Sequence, residues 1–240
     1  MTKAATESRA AEGRTAMNAS SLDEVRLQVV RPVISAGWHS PVRLACKRAL
    51  DLLGSAILLL MLSPLLLIIT VLVRLTSRGP VLYRWRVVGK GGRPFVGYKF
   101  RSMIANADDL RRDLMAQNEM TGPVFKVTAD PRVTKVGAWL RRYSLDELPQ
   151  LYSVLKGDMS LVGPRPPLVT EYVQFTDYQK QKLAVKPGIT CLWQVSGRNR
   201  INDFNEWVAL DLEYIRNWSL GLDLKILLKT AREVCIGSGR

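Results

Sequence analysis

The chain has 240 residues, enough for one domain with a real core plus extra segments, and its 35 basic against 21 acidic side chains give a net charge of +14. A single histidine, His39, argues against a Ser-His-Asp triad or a multi-histidine metal site, so acid–base work falls to carboxylates, Lys, Arg or Tyr. Three widely spaced cysteines, Cys46, Cys191 and Cys235, suggest neither a disulfide framework nor a zinc site and read as reduced core or interface residues.

Residues 1–40 are rich in Ala, Ser, Thr and nearly balanced charge, and read as a flexible arm. They are no signal peptide, because no apolar stretch closely follows the first Met. Residues 41–100 hold ten basic residues against one acid, Asp51. That local excess needs a counter-charge: nucleic acid, anionic lipid headgroups or a phosphorylated substrate.

Leu52 to Val73 runs 22 residues without a charge, long enough to cross a bilayer core of roughly 30 Å. Two features argue against a single crossing. Ser63-Pro64 falls in the middle, where proline removes a backbone donor and clashes with the preceding turn. Basic residues also flank both ends, Arg43, Lys47 and Arg48 before and Arg74 and Arg78 after, and positive flanks mark the cytoplasmic side. A re-entrant hairpin over about 47–75, broken at Ser63-Pro64, keeps both ends on one face. Ser63 should then satisfy a freed carbonyl, or the break should stay shallow, because broken backbone in lipid is costly.

Beyond Gly79-Pro80 the pattern alternates. VLYRWRVV and PFVGYKF, joined by GKGG, predict a β-hairpin. NADDLRRDLMAQN predicts a polar helix over 106–118, with acids preceding basic residues at helical spacing. TKVGAWLRR predicts a helix over 134–142, and ELPQLYSVLKGD another ending near Gly157. MSLVGPRPPL reads as a proline-locked loop and KPGITCLWQVSGRNR as a loop or short strand. From Phe204 the chain is helical. Phe204, Trp207, Asp211, Tyr214 and Trp218 share a face that is either core or lies on a membrane surface, and a last helix covers about Asp223 to Val234.

The stretch SLDELPQ, at 144–150, has two readings. Ser144 with Glu147 three residues later fits a capping box, and acids in a first turn suit the helix dipole. That leaves Asp146 and the adjacent Arg141 and Arg142 unexplained. The other reading is chemical. A helix N-terminus and arginines suit phosphate, and a carboxylate ringed by positive charge stays ionised and can attack phosphorus. A divalent cation would bridge carboxylate and diphosphate, and hard oxygen ligands favour Mg2+. Arg165, in GPRP, could close over the phosphates.

KRALDLLGSAILLLMLSP, FVGYKFRSM, ADPRVTKVGAWLRRYSLDELPQLYSVLKGDMSLVGPRP and KPGITCLWQVSGRN, in this order, resemble the bacterial sugar transferases, the monotopic polyprenyl-phosphate phosphoglycosyl transferases, from about Lys47 to Val234. The resemblance implies a helix-rich α+β fold: a re-entrant membrane helix with a catalytic part over about 80–240, within a domain of 41–240, on the cytoplasmic face of the bacterial inner membrane. It implies transfer of a sugar 1-phosphate from a UDP-sugar to undecaprenyl phosphate with release of UMP, the first step of polysaccharide synthesis. Asp146 falls on the family's nucleophile and Mg2+ ligand, Glu147 on its supporting acid, and Arg141 and Arg165 on its phosphate-binding arginines. The resemblance also makes Lys99 and Arg101 candidates for phosphate or lipid headgroup, and Trp193, Gln194 and Arg198 for sugar or nucleotide, with core packing an equal reading of Trp193.

The extension through LWQVSGRN and DLEYIRNWSLGLDLKILLKT resembles the members that transfer glucose or galactose 1-phosphate in exopolysaccharide or O-antigen synthesis. The implied partners are the UDP-sugar, the polyprenyl phosphate and membrane lipid, with no nucleic acid and a homo-oligomer left open. The chain departs from the family at Cys191, where Gly is usual, and at Trp85 and Val87, where Gln and Arg are usual; neither departure is expected to touch the acidic pair. The alternative is a membrane-tethered basic protein that binds anionic lipid or nucleic acid without chemistry.

Overall fold

The apolar run folds as one long helix in the computed structural model, which describes residues 35–197 and 201–239. Most of the N-terminal arm, and Arg198, lie outside the described residues. Helix α1 (Pro41–Thr76) begins where the Ser40 hydroxyl accepts from the Arg43 amide, with Pro41 in the first turn, where its fixed φ suits a helix. It contains Pro64. Proline cannot donate to the carbonyl four residues back, Leu60, and the Ser63 hydroxyl donates to that oxygen instead at 2.8 Å, the first of the two expected outcomes. Among the described residues α1 is the one helix long and apolar enough to cross a membrane. Its middle is bare: Leu60 and Met61 are more than two-thirds exposed.

Both ends of α1 are packed against the same body of protein. Near its start, the Lys47 ammonium donates to Asp223 at 2.7 Å and to the Val162 carbonyl at 3.1 Å. Arg48 donates to the carbonyls of Val154 and Leu155, and Asp51 accepts from the Ser160 hydroxyl and the Leu161 amide. The excess charge expected of this region is therefore partly met from inside, with Asp223 the counter-ion of Lys47. Near the end of α1, Ile69 and Val73 form a small core with Phe100 and Leu140.

Strands β1 (Leu82–Val88) and β2 (Pro94–Phe100) pair antiparallel, in the expected hairpin, with Tyr83 opposite Lys99 and Trp85 opposite Gly97. The polar helix expected over 106–118 does not form. That stretch holds two single 3-10 turns, Asp109–Arg111 and Met115–Gln117. Only Ala107 and Leu114 are buried within it, so no apolar stripe fixes a helix to the core, and charge pairing alone is too weak.

Helix α2 (Lys135–Arg142) starts at Thr134, whose hydroxyl accepts from the Gly137 amide. Helix α3 (Gln150–Lys156) ends at Gly157, which takes a left-handed φ of 97°. Strands β3 (Ser160–Val162) and β4 (Gly188–Thr190) pair parallel, joined through the single-turn helices α4 (Val169–Tyr172) and α5 (Asp177–Lys180). Helices α6 (Phe204–Arg216) and α7 (Leu220–Ile236) complete a helix-rich α+β fold.

The aromatic face of α6 is core. Phe204, Trp207, Tyr214 and, just beyond the helix, Trp218 are all buried, and Asp211 is fully buried in an ion pair with Lys182 at 2.5 Å. Of the two readings of that face, the core one holds. Among the cysteines only Cys191 is core, while Cys46 and Cys235 are exposed. Burial pushes the Cys191 thiol up to about 12, so it is neutral and unreactive at ordinary pH. The native protein in detergent should therefore take two maleimide adducts and the denatured protein three, by intact mass; three adducts on the native protein would contradict this packing.

Candidate active site

The acidic pair lies on a 3-10 turn, Leu145–Glu147, and not in the first turn of α3, which begins at Gln150. The capping box is absent: Ser144 takes a left-handed backbone with φ 54° and its hydroxyl caps nothing. Pro149, itself in a helical backbone conformation, stands just ahead of α3, so the helix expected from Glu147 begins at Gln150 instead. A left-handed non-glycine residue is uncommon and costs about 1–3 kcal/mol, so surrounding contacts must hold this turn in place. The backbone amides of Ser144 and Glu147 donate to the Arg141 and Ser144 carbonyls, and the Glu147 side chain is held by two cations. Glu147 Oε1 accepts from Lys99 Nζ at 2.7 Å and from Arg165 Nη1 at 3.2 Å.

Three separate elements bring the cations there. Lys99 comes from the end of β2. Arg165 follows β3, in a loop tied down by the Gly188 amide, which donates to the Pro164 carbonyl. Arg141 comes from α2, and its Nε donates to the Ser102 hydroxyl at 2.9 Å. The helix can lie that close because a Cβ on Gly137 would overlap the Ser102 carbonyl.

Asp146 and Glu147 are only 8 % and 6 % exposed. Burial lowers the proton affinity of Lys99, opposed chiefly by Glu147 and also by Asp146. Burial also works against the Arg141 charge, opposed first by Asp146. Lys99, Arg141 and Arg165 thus hold three positive charges around two carboxylates. The one left over suits an incoming anion with two phosphates better than a neutral ligand.

The remaining candidates are elsewhere. The Arg101 guanidinium donates to the carbonyls of Ser77 and Pro80 and to the Ser77 hydroxyl, capping the end of α1 instead of joining Lys99. Trp193 stacks on Trp207 with centroids 4.2 Å apart, which is the core-packing alternative. Gln194 accepts from the Cys191 thiol at 3.4 Å. Trp85 does not touch the acidic pair itself, but its ring carries the Lys99 ammonium 4.1 Å from its centroid, and Lys99 in turn donates to Glu147. Sequence reasoning missed Ser102 and the Asp130–Arg132 fork, although both stand in the quoted motifs. Burial pushes the Asp130 carboxyl up, and two hydrogen bonds from Arg132, at 2.9 and 2.7 Å, outweigh it and leave it below the usual range.

Among the described residues no cluster of three His, Cys, Asp or Glu side chains could cage a metal. The acidic pair nevertheless fits Mg2+, which is commonly held by one or two carboxylates plus substrate phosphate oxygens and water.

The chain is 44 % identical over 228 residues to the galactosyl transferase CpsE of Streptococcus agalactiae, covering 93 % of this chain and 51 % of that protein. It is 41 % identical over 207 residues to the exopolysaccharide production protein ExoY of Rhizobium meliloti, covering 85 % and 91 %. It is 41 % identical over 218 residues to the UDP-glucose:undecaprenyl-phosphate glucose-1-phosphate transferase of Escherichia coli, covering 88 % and 44 %. The chain thus spans about half the length of two of these relatives and nearly all of the third. The bacterial sugar transferase model matches residues 42–237, and the chain belongs to that family.

Proposed function

We propose that the protein transfers glucose or galactose 1-phosphate from a UDP-sugar to undecaprenyl phosphate, releasing UMP, as the first step of polysaccharide synthesis. The observation that carries this reading is a buried carboxylate pair among Lys99, Arg141 and Arg165, on the domain to which both ends of an apolar helix are fastened. The names of the relatives supply the sugar and carrier classes.

An Asp146 oxygen attacks the sugar-bearing phosphorus, and the bond from that phosphorus to the UMP oxygen breaks. UMP leaves with the electron pair, and an acyl phosphate on Asp146 holds the sugar phosphate. An oxygen of undecaprenyl phosphate then attacks the same phosphorus and the bond to Asp146 breaks. The product is a lipid diphosphate sugar, and the carboxylate is regenerated. Arg141 and Arg165 hold the phosphate oxygens while charge moves between them. Glu147 anchors Lys99 and Arg165 through one oxygen. Mg2+, held by Asp146 with the diphosphate, would neutralise phosphate charge and draw the leaving oxygen away.

A carrier lipid is reached from the membrane, so the site must open at the bilayer surface. Both ends of α1 dock on one domain, which supports the re-entrant path and a catalytic domain on a single, cytoplasmic face of the inner membrane. Offered a panel of UDP-sugars with undecaprenyl phosphate and Mg2+, the purified protein should release UMP with UDP-glucose or UDP-galactose and stop when the metal is chelated. Failure to release UMP from any donor would overturn the assignment.

A further inference from the structure

Trp85 stands in the middle of β1 with its indole over Gly97, its partner on β2. A Cβ at Gly97 would collide with the ring, so this pairing depends on that glycine. Trp85 is 7 % exposed, and its indole N–H is buried without a hydrogen-bond partner. A phenylalanine or leucine could fill the space without that orphaned donor, so space-filling alone does not account for tryptophan. What tryptophan adds is the strongest aromatic face for a cation, and the Lys99 ammonium lies 4.1 Å from its centroid, well inside the roughly 6 Å reach of that interaction.

Lys99 is therefore held between two unlike partners. Glu147 takes it end-on at 2.7 Å, and Trp85 lies against it. The other charged groups facing it are Asp146, on the acidic turn, and Arg165, whose repulsion would push the ammonium away. Arg84 and Arg86, on either side of Trp85, alternate to the exposed face of the strand. Helix α3 contributes Tyr152 against Tyr98.

The geometry points to Trp85 as a positioning residue that, with Gly97 leaving room for its ring, holds the Lys99 ammonium on Glu147 against the repulsion of Arg165. This inference rests on the transferase reading for its effect on turnover, but the coupling of Trp85 to Lys99 does not. Tryptophan reaches the chemistry through Lys99 alone, so its effect should vanish when Lys99 is gone.

A double-mutant cycle tests this in the full-length protein. Trp85→Leu should lower kcat/KM for UMP release about 3- to 30-fold. Trp85→Phe and Trp85→Tyr, which keep a ring face, should retain most of the activity. In a Lys99→Met background, Trp85→Leu should cost nothing further. Gly97→Ala, which pushes the indole aside, should reproduce the loss and the same dependence on Lys99, and it carries the test should Trp85→Leu fail to fold. The same cycle run on unfolding in detergent reads the coupling without any turnover. Equal effects of Trp85→Leu with and without Lys99, or a Phe variant as impaired as Leu, would overturn the inference. If the wild-type protein releases no UMP from any donor, the transferase reading falls separately and the unfolding cycle still decides the role of Trp85.

Discussion

Asp146→Asn should abolish sugar-phosphate transfer, lowering the rate of UMP release on the order of 10^4-fold or more while leaving the melting temperature close to wild type. The amide keeps the shape of the carboxyl but has no anionic oxygen to bond phosphorus. The loss separates an enzyme from a protein that only binds. A basic tether that only binds anionic lipid would gain affinity for acidic vesicles when a negative charge leaves its cationic cluster. A one-step transferase, with Asp146 holding metal only, would also lose rate, so rate alone does not distinguish it from the covalent route. Glu147→Gln should cost less than Asp146→Asn, because Glu147 acts by holding Lys99 and Arg165 and an amide oxygen still accepts hydrogen bonds.

The second large effect concerns the anchor. Asp223 accepts from Lys47 at 2.7 Å, from the Tyr214 hydroxyl at 2.7 Å and from the Trp218 indole at 3.2 Å, and the Lys47 and Asp223 side chains are 7 % and 0 % exposed. This group ties the first turns of α1 to α6 and α7. Removing one member of a buried pair leaves the other charge stranded, at a cost of about 3–5 kcal/mol. Asp223→Ala should therefore lower the melting temperature in detergent by roughly 10 °C. Replacing both, Lys47→Met with Asp223→Leu, removes the stranded charge and should recover part of that loss. A single variant that melts with the wild type would show that α1 is not held through this pair.

Much of this was written in local sequence. The apolar run, the proline with its serine, the hairpin around GKGG, the α2 helix with its Thr134 start and the Gly157 stop each follow from neighbours within a few residues. The gathering of Lys99 and Arg165 on Glu147 was not local; it came from motif order through the resemblance, because these residues lie 48 and 18 positions from Glu147 and meet only when the hairpin and the β3 loop pack together. The departures have separate causes. The polar helix over 106–118 had charge pairs at the right spacing but nothing apolar to hold it. The capping box had the right letters, but Ser144 takes a left-handed backbone and the acids fall on a three-residue 3-10 turn ahead of α3. Arg101 was a candidate through the resemblance; it lies just past the end of β2, and its guanidinium bonds the Ser77 carbonyl and hydroxyl at the end of α1. Trp85 stood out in the sequence only as a departure from the family; its contact with Lys99 follows from strand register, which sets Trp85 opposite Gly97 and Tyr83 opposite Lys99.

Incubating the purified protein with UDP-glucose or UDP-galactose and Mg2+ but no lipid acceptor, then quenching and taking its intact mass, asks whether Asp146 bonds phosphorus. The account predicts a population heavier by one hexose phosphate, mapped to the peptide containing Asp146, released by added undecaprenyl phosphate and missing from Asp146→Asn. Turnover by the wild type with no such species under any quench, or an adduct mapped to another residue, would contradict it.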